Sequence, residues 1–219
     1  MSIRVPNEPA DRPVRPARKP RSDGERSRDA ILRASARLAT VEGIGGLSIG
    51  RLADAVGMSK SGLFAHFGSK EELQLATIDA ASALYNEQVV DPALEAPTAI
   101  ERLNALVENF MKHVEDGVYP GGCFFAAVMP ELATHPGAVR DLALAFTLEW
   151  LGHLETAIRD AQAEGAIDPS EDAEQLLFDI EAAMMAANSI FVLTAESTPL
   201  ERARRSIARR LAEAAPEAA

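Results

Sequence analysis

The chain has 219 residues, 47% of them hydrophobic and 25% charged, enough for a substantial buried core in one large domain or two small ones. A formal net charge of −11 hides a division: residues 1–70 carry 13 Lys/Arg against 7 Asp/Glu, and residues 71–219 carry 9 against 26. A single cysteine, Cys123, excludes an intrachain disulfide and a cysteine-cluster metal site, and the sequence offers neither an uninterrupted apolar run of membrane-spanning length nor a signal-peptide core, so a cytoplasmic location is expected.

Residues 1–22 are rich in proline, arginine and lysine and cannot bury enough apolar area to offset backbone ordering, so they read as a disordered basic arm. From Asp23 a helical period begins: Ile31, Ala34, Leu38 and Val41 recur every three or four residues, and Gly43 ends the segment. Ser48 is an N-cap for a short helix, Gly57 supplies a turn and Ser59 caps a second short helix. Ser69, followed three residues later by Glu72, is a capping box for a third. After it, proline and glycine punctuation at Pro92, Pro97, Tyr119-Pro-Gly-Gly, His135-Pro-Gly, Gly165, Asp168-Pro and Thr198-Pro predicts helices near 69–90, 97–116, 122–134, 137–164, 170–195 and 199–214. No strand alternation, internal repeat or Gly-rich phosphate loop stands out. The expected fold is all-α with about nine helices.

Two short helices joined by a tight glycine turn match helix-turn-helix geometry, whose second helix enters the DNA major groove. A helix of about seven residues is roughly 10 Å long, and the groove, about 12 Å wide, admits it. With Leu52, Ala53, Val56, Leu63 and Phe67 packed inward, Ser59, Lys60, Ser61, Gly62 and His66 face outward.

Residues 48–72, SIGRLADAVGMSKSGLFAHFGSKEE, resemble the DNA-binding region of the TetR/AcrR family of transcriptional regulators. The resemblance runs in order through Gly43, Leu52-Ala53, Val56-Gly57, Ser59-Lys60, Leu63, His66-Phe67 and Ser69 to Leu73. It implies phosphate contacts from Ser48 and Lys70, contacts near base edges or backbone from Lys60 and Ser61, and a backbone contact from His66. Phe64 stands where the family usually has a tyrosine bonded to phosphate, and Gly62 replaces a bulkier residue, so direct readout falls on Lys60 with Ser59 and Ser61. The arm, with Arg15, Arg18, Lys19, Arg21, Arg26 and Arg28, is expected to add phosphate affinity or enter a minor groove.

The resemblance also implies a ligand-binding and dimerising domain over residues 71–219, behind a DNA-binding domain at 23–70; the GGCFFAAVMPELATHPGAVRD stretch is similar to one subgroup of such domains. An effector cavity is expected from the aromatic and thioether side chains of Phe110, Cys123, Phe124, Phe125, Met129, Phe146, Trp150, Phe178, Met184 and Met185, with His113, His153 and Asn188 as polar contacts. Leu176, Ile180, Ala183, Ala187, Ile190 and Phe191 form a stripe broader than one buried face, and Leu200, Ala203, Ile207 and Leu211 form a second; paired with their symmetry mates these give a four-helix dimer interface. Packing within one chain is the competing use of both stripes.

The histidines are too scattered for a metal site, and no cofactor motif is present. Cys123, at a helix start, is either a buried small hydrophobe or a low-pKa sensor thiol. The function expected is a homodimeric repressor that binds a palindromic double-stranded DNA operator and releases it when a small apolar effector binds. A helical-bundle enzyme acting on a small metabolite is the alternative, though no HExxH, Glu-x-x-His or nucleophile elbow is present.

Overall fold

A computed structural model describes residues 23–216. The expected arm at 1–22 lies outside the described residues. Those described form α1 (Asp23–Glu42), α2 (Ile49–Val56), α3 (Lys60–His66), α4 (Lys70–Tyr85), a π-helical segment (Asn86–Val90), α5 (Asp91–Leu94), α6 (Ala99–Glu115), α7 (Phe124–Leu132), α8 (Ala138–Ala163), α9 (Ala173–Thr194) and α10 (Thr198–Glu213). Among the described residues there is no strand, and the fold is all-α.

The local signals act where the sequence places them. Ser48 Oγ accepts from the Arg51 amide, Ser59 Oγ from Gly62 and Ser69 Oγ from Glu72, each satisfying an amide left open at a helix start. Around Ser69 the return arm of the capping box is displaced by one residue, because Glu72 Oε2 accepts from Gly68 N at 2.9 Å. Thr98 and Glu101 form the complete reciprocal box at the start of α6.

Pro92 does not break the chain as the sequence suggests. Backbone angles stay helical from α4 through the π segment into α5, so α4 to α5 is one rod and the separate rods among the described residues number nine. Pro92 stands in the first turn of α5, directly after the π-helical segment, and supplies no amide to the rod there.

Two apolar clusters fill the molecule. A small one joins Ile31, Leu32, Leu52, Leu63, Phe67 and Leu73 and holds α2 and α3 against α1 and α4. The large one runs from Ala36, Ala39, Ile44 and Leu47 through α4 to α10. Both α1 and α4 contribute to both clusters, and the buried Ser35 and Thr77 hydroxyls clasp these helices at 2.8 Å. Val41, placed by its spacing on the inner face of α1, is 66% exposed; Ala39 is buried in its stead.

Among the described residues one helix, α9, is long and apolar enough to cross a membrane by length and composition. The bundle explains its apolarity differently. One side packs along α10, tied by Arg210 Nε donating to Asp179 Oδ2 at 2.8 Å, and the opposite side carries exposed Phe178, Ile190, Val192 and Leu193.

Candidate nucleic-acid interface and effector cavity

Gly57 turns the chain between α2 and α3 in a left-handed conformation (φ +68°) that a side chain would strain. Leu63 and Phe67 are consequently held in the small core, while Ser59, Lys60, Ser61, Phe64 and Ala65 are exposed and His66 is half-buried. This is a recognition helix with an outward polar face carrying one large ring, Phe64, at 50% exposure. Ser59 and Ser61 hydroxyls lie 3.2 Å apart, and Ser59 is also occupied as a cap.

Lys60 reaches back over α2. A β-carbon on Gly50 would sit 3.2 Å from Lys60 Cε, so the missing side chain at Gly50 gives the lysine its berth. Lys70 differs from expectation: its ammonium donates to the carbonyl of Gly45, which gives this cation a structural partner beside any external anion. Arg26 and Arg28, assigned by composition to the arm, belong to α1, and the Arg28 guanidinium lies 4.9 Å from the Phe67 ring centroid.

The α1–α2 loop is fastened to the body. Glu131 Oε1, in the last turn of α7, accepts from Gly45 N at 2.9 Å, and Gln74 Nε2 donates to Ile44 O at 2.8 Å. Next to them Thr40 Oγ1 accepts from Gly121 N at 3.2 Å, and a β-carbon on Gly121 would collide with the Thr40 carbonyl. Close backbone approach is thus what the glycine pair at 121–122 provides.

In the body, a cavity of about 130 Å³ is lined by Tyr85, Phe110, Cys123, Phe125, Ala126, Met129, Phe146, Thr147, Trp150, Glu181 and Met185. Tyr85 is its hub, edge-on to Phe146 and Trp150 at 5.3 Å each, while Phe125 stacks on Phe146 at 3.8 Å. Trp150 Nε1 donates to Glu181 Oε2 at 3.1 Å. Burial pushes the Glu181 carboxyl above its ordinary pKa, the indole hydrogen bond only partly opposing it. Burial also raises the Tyr85 hydroxyl, with smaller contributions from the neighbouring Cys123 and Glu181.

The two regions match two parts of one family. The family described as "Bacterial regulatory proteins, tetR family" matches residues 31–77, and "Tetracyclin repressor-like, C-terminal domain" matches residues 99–207. The chain belongs to the TetR family of transcriptional regulators. A TetR-family regulator from Chloroflexus aurantiacus J-10-FL is 27% identical, with a TM-score of 0.79 over 87% of this chain and 96% of that one. AibR, solved with isovaleryl coenzyme A and operator DNA, is also 27% identical, with a TM-score of 0.69 over 84% and 97%. A TetR-family regulator from Cytophaga hutchinsonii, 21% identical, shares the fold with a TM-score of 0.77 over 91% and 100%. No curated protein matches the chain in sequence.

For a TetR-family regulator the head is a DNA-binding helix-turn-helix and the body a ligand-binding domain. Of the side chains expected at the effector, Phe110, Cys123, Phe125, Met129, Phe146, Trp150 and Met185 line the cavity. The other six do not. Phe124 and Met184 are core residues at 1% and 0% exposure, and Phe178, at 65%, points away from the core. His153 is half-buried on α8 outside the lining. His113 is buried behind Tyr85, its Nδ1 on Gln88 Oε1 at 2.8 Å, and burial pulls its pKa down to about 4. Asn188 has a structural task, accepting from Cys123 N at 2.8 Å. Tyr85, Ala126, Thr147 and Glu181 complete the lining although sequence reading passes over them; Glu181 stands two residues after Asp179 on the same helix, and no local signal separates the two.

Cys123 caps α7, and the amides of Phe125 and Ala126 do lower its thiol pKa, but burial outweighs them and pushes it up to about 11. A thiol held that high is almost wholly protonated at neutral pH, so this position behaves as a small buried hydrophobe. Among the described residues no group of three or more His, Cys, Asp or Glu side chains is placed to hold a metal ion.

The expected dimer stripes need the largest correction. Leu176, Ile180, Ala187, Leu200, Ala203, Ile207 and Leu211 are buried inside the single chain, and Ala183 and Phe191 are half-buried. Only Ile190 is exposed. The inner stripes of α9 and α10 face each other and the body, so the competing use prevails for them. What the fold leaves uncovered is Phe178, Ile190, Val192 and Leu193 on α9 with Leu148 on α8.

Proposed function

We propose that this protein is a homodimeric, cytoplasmic repressor that binds a palindromic operator and leaves it when a small apolar molecule occupies the cavity around Tyr85. The observation that carries this reading is a pair of rigid connections between cavity and head. Helix α4 begins beside the head loop at Lys70 and ends at Tyr85 in the cavity wall. Helix α7 contributes Phe125, Ala126 and Met129 to the wall and, one turn later, holds Gly45 through Glu131. A molecule that displaces the wall moves both helices and therefore the tilt of α3.

Two copies joined through the uncovered faces of α8 and α9 would present two recognition helices, and repression requires them to meet major grooves about 34 Å apart. Each factor of ten lost in operator affinity needs only about 1.4 kcal/mol of preference by the effector for the misaligned state. Ser48, Ser59, Lys60, Ser61, Phe64, His66 and Lys70 form the DNA surface in this reading. The isovaleryl coenzyme A bound in the AibR structure does not carry over, because no Lys or Arg lines this cavity to meet the phosphates of a coenzyme A ester.

The test is a gel-shift titration of DNA flanking the protein's own coding region at two salt concentrations. Lys60→Ala is expected to remove preference for that DNA over a scrambled fragment and to lower the salt slope by about one charge. Binding unchanged by Lys60→Ala, together with no preference by the parent protein, would overturn the assignment.

A further inference from the structure

The chemistry of the cavity wall narrows what can fill it. Its polar side-chain groups are Glu181, the Trp150 indole N–H, the Tyr85 hydroxyl, the Cys123 thiol and Thr147, and no Lys, Arg or His is among them. Thr147 is already committed, donating to the Ala143 carbonyl at 2.9 Å. Among the described residues Trp150 Nε1 is the hydrogen-bond donor that Glu181 has, on one oxygen only. An anion entering here would meet a carboxylate with no cation to offset it, in surroundings of low dielectric. A neutral hydrocarbon would fill the space but leave the carboxylate as poorly compensated as before.

A cation answers both features of the wall. Aromatic rings attract it through their quadrupoles, and Tyr85, Phe125, Phe146 and Trp150 are four of the rings that line the cavity with Glu181. The body's charge favours the same sign, with 9 Lys/Arg against 26 Asp/Glu over residues 71–219. Size sets a further limit: apolar cavities of about 150 Å³ take up benzene, and this one measures about 130 Å³. We propose that the cavity binds a compact organic cation, a protonated or quaternary amine on a single ring or an equally small apolar body, with its nitrogen against Glu181 and its body among Tyr85, Phe125, Phe146 and Trp150. This rests on the cavity being the effector site.

Titration calorimetry of the full-length protein at neutral pH with benzylammonium, benzyltrimethylammonium, benzyl alcohol and benzoate tests it, because the four differ in charge at nearly constant shape. The expected result is that at least one ammonium probe binds about tenfold or more tightly than the alcohol, with benzoate weakest. Glu181→Gln, which keeps the size and an acceptor for Trp150, should reduce that preference to less than about threefold. Equal or tighter binding of the alcohol or benzoate, absence of ammonium binding, or a preference that survives Glu181→Gln overturns the proposal; the comparison within the parent protein decides even if the variant misfolds. Release of bound DNA separates the two readings. Ammonium binding through Glu181 without DNA release sinks the effector assignment alone, and release driven by benzoate or benzyl alcohol sinks the cation alone.

Discussion

Glu131 and Gly45 meet across the boundary between body and head, 86 residues apart in sequence, through a 2.9 Å hydrogen bond from the Gly45 amide to Oε1. The space is made for it: a β-carbon on Gly45, or on Gly43 in its left-handed conformation, would run into the Glu131 carboxylate. Cutting this link should leave the cavity intact while loosening the head. Glu131→Ala is expected to keep effector affinity within about twofold but to reduce by about tenfold or more the effector's influence on DNA affinity, roughly 1.4 kcal/mol of coupling. DNA titrations with and without a bound probe measure that difference directly.

Phe64 offers a gain rather than a loss. Its exposed ring stands on the recognition helix without a hydroxyl, so Phe64→Tyr restores a donor at the edge of the DNA surface. One net hydrogen bond to a charged oxygen is worth about 1.5 kcal/mol or more, so binding should tighten by about tenfold on every DNA sequence alike. Because the added group is neutral, the slope of affinity against salt should not change.

His113 makes stability depend on pH. Its folded pKa is held down to about 4 by burial, Asp116 raising it only slightly, against an ordinary value of 6.5. Below the ordinary value the unfolded chain binds the extra proton first, so stability is lost as pH falls from about 6.5 and the loss levels off near 4. The full contribution is on the order of 3 kcal/mol, because each pH unit separating the folded from the unfolded pKa corresponds to about 1.4 kcal/mol. Denaturant unfolding at pH 7 and pH 5 should show the decline, and His113→Gln should flatten it.

Association should depend on the uncovered side of α9. Phe178 and Leu193 are 65% and 84% exposed, so placing charges there disturbs little within the chain. Phe178→Glu combined with Leu193→Glu is expected to give a monomer in sedimentation with a native circular-dichroism spectrum, and to weaken binding to palindromic DNA by about a hundredfold or more through loss of the second head. A dimer persisting in this variant would place the interface elsewhere.

Gly122 should tolerate no side chain. Its φ of +77° is left-handed, and a β-carbon would meet the Asn188 side chain that holds the Cys123 amide. Gly122→Ala is expected to cost roughly 2–4 kcal/mol, the combination of backbone strain and a displaced buried hydrogen bond, read as a drop in melting temperature.

What the sequence makes legible follows the range of the forces involved. Ser48, Ser59 and Ser69 announce their helix starts because a cap acts within three residues, and Leu52, Leu63 and Phe67 announce the small core because its helices are consecutive. The cavity is half legible. Phe125 and Phe124 are neighbours of identical character, and only the rotation of α7 against α8 decides that one faces the cavity and the other Tyr119. His113 and Tyr85 exchange roles for the same reason, since five helices, α4 and α6 to α9, converge there. The stripes on α9 and α10 are correctly apolar, but periodicity does not say whether a helix buries its face against its own chain or a second copy.

The sharing of α1 and α4 between the two apolar clusters bears on how the molecule comes apart. A reading head hung on a free linker would melt early and alone, whereas here its loss would take Ala36, Ala39, Ile44 and Leu47 out of the larger cluster. Head and body are therefore expected to unfold in a single transition, so that DNA binding is lost at the temperature at which the body melts and not before it.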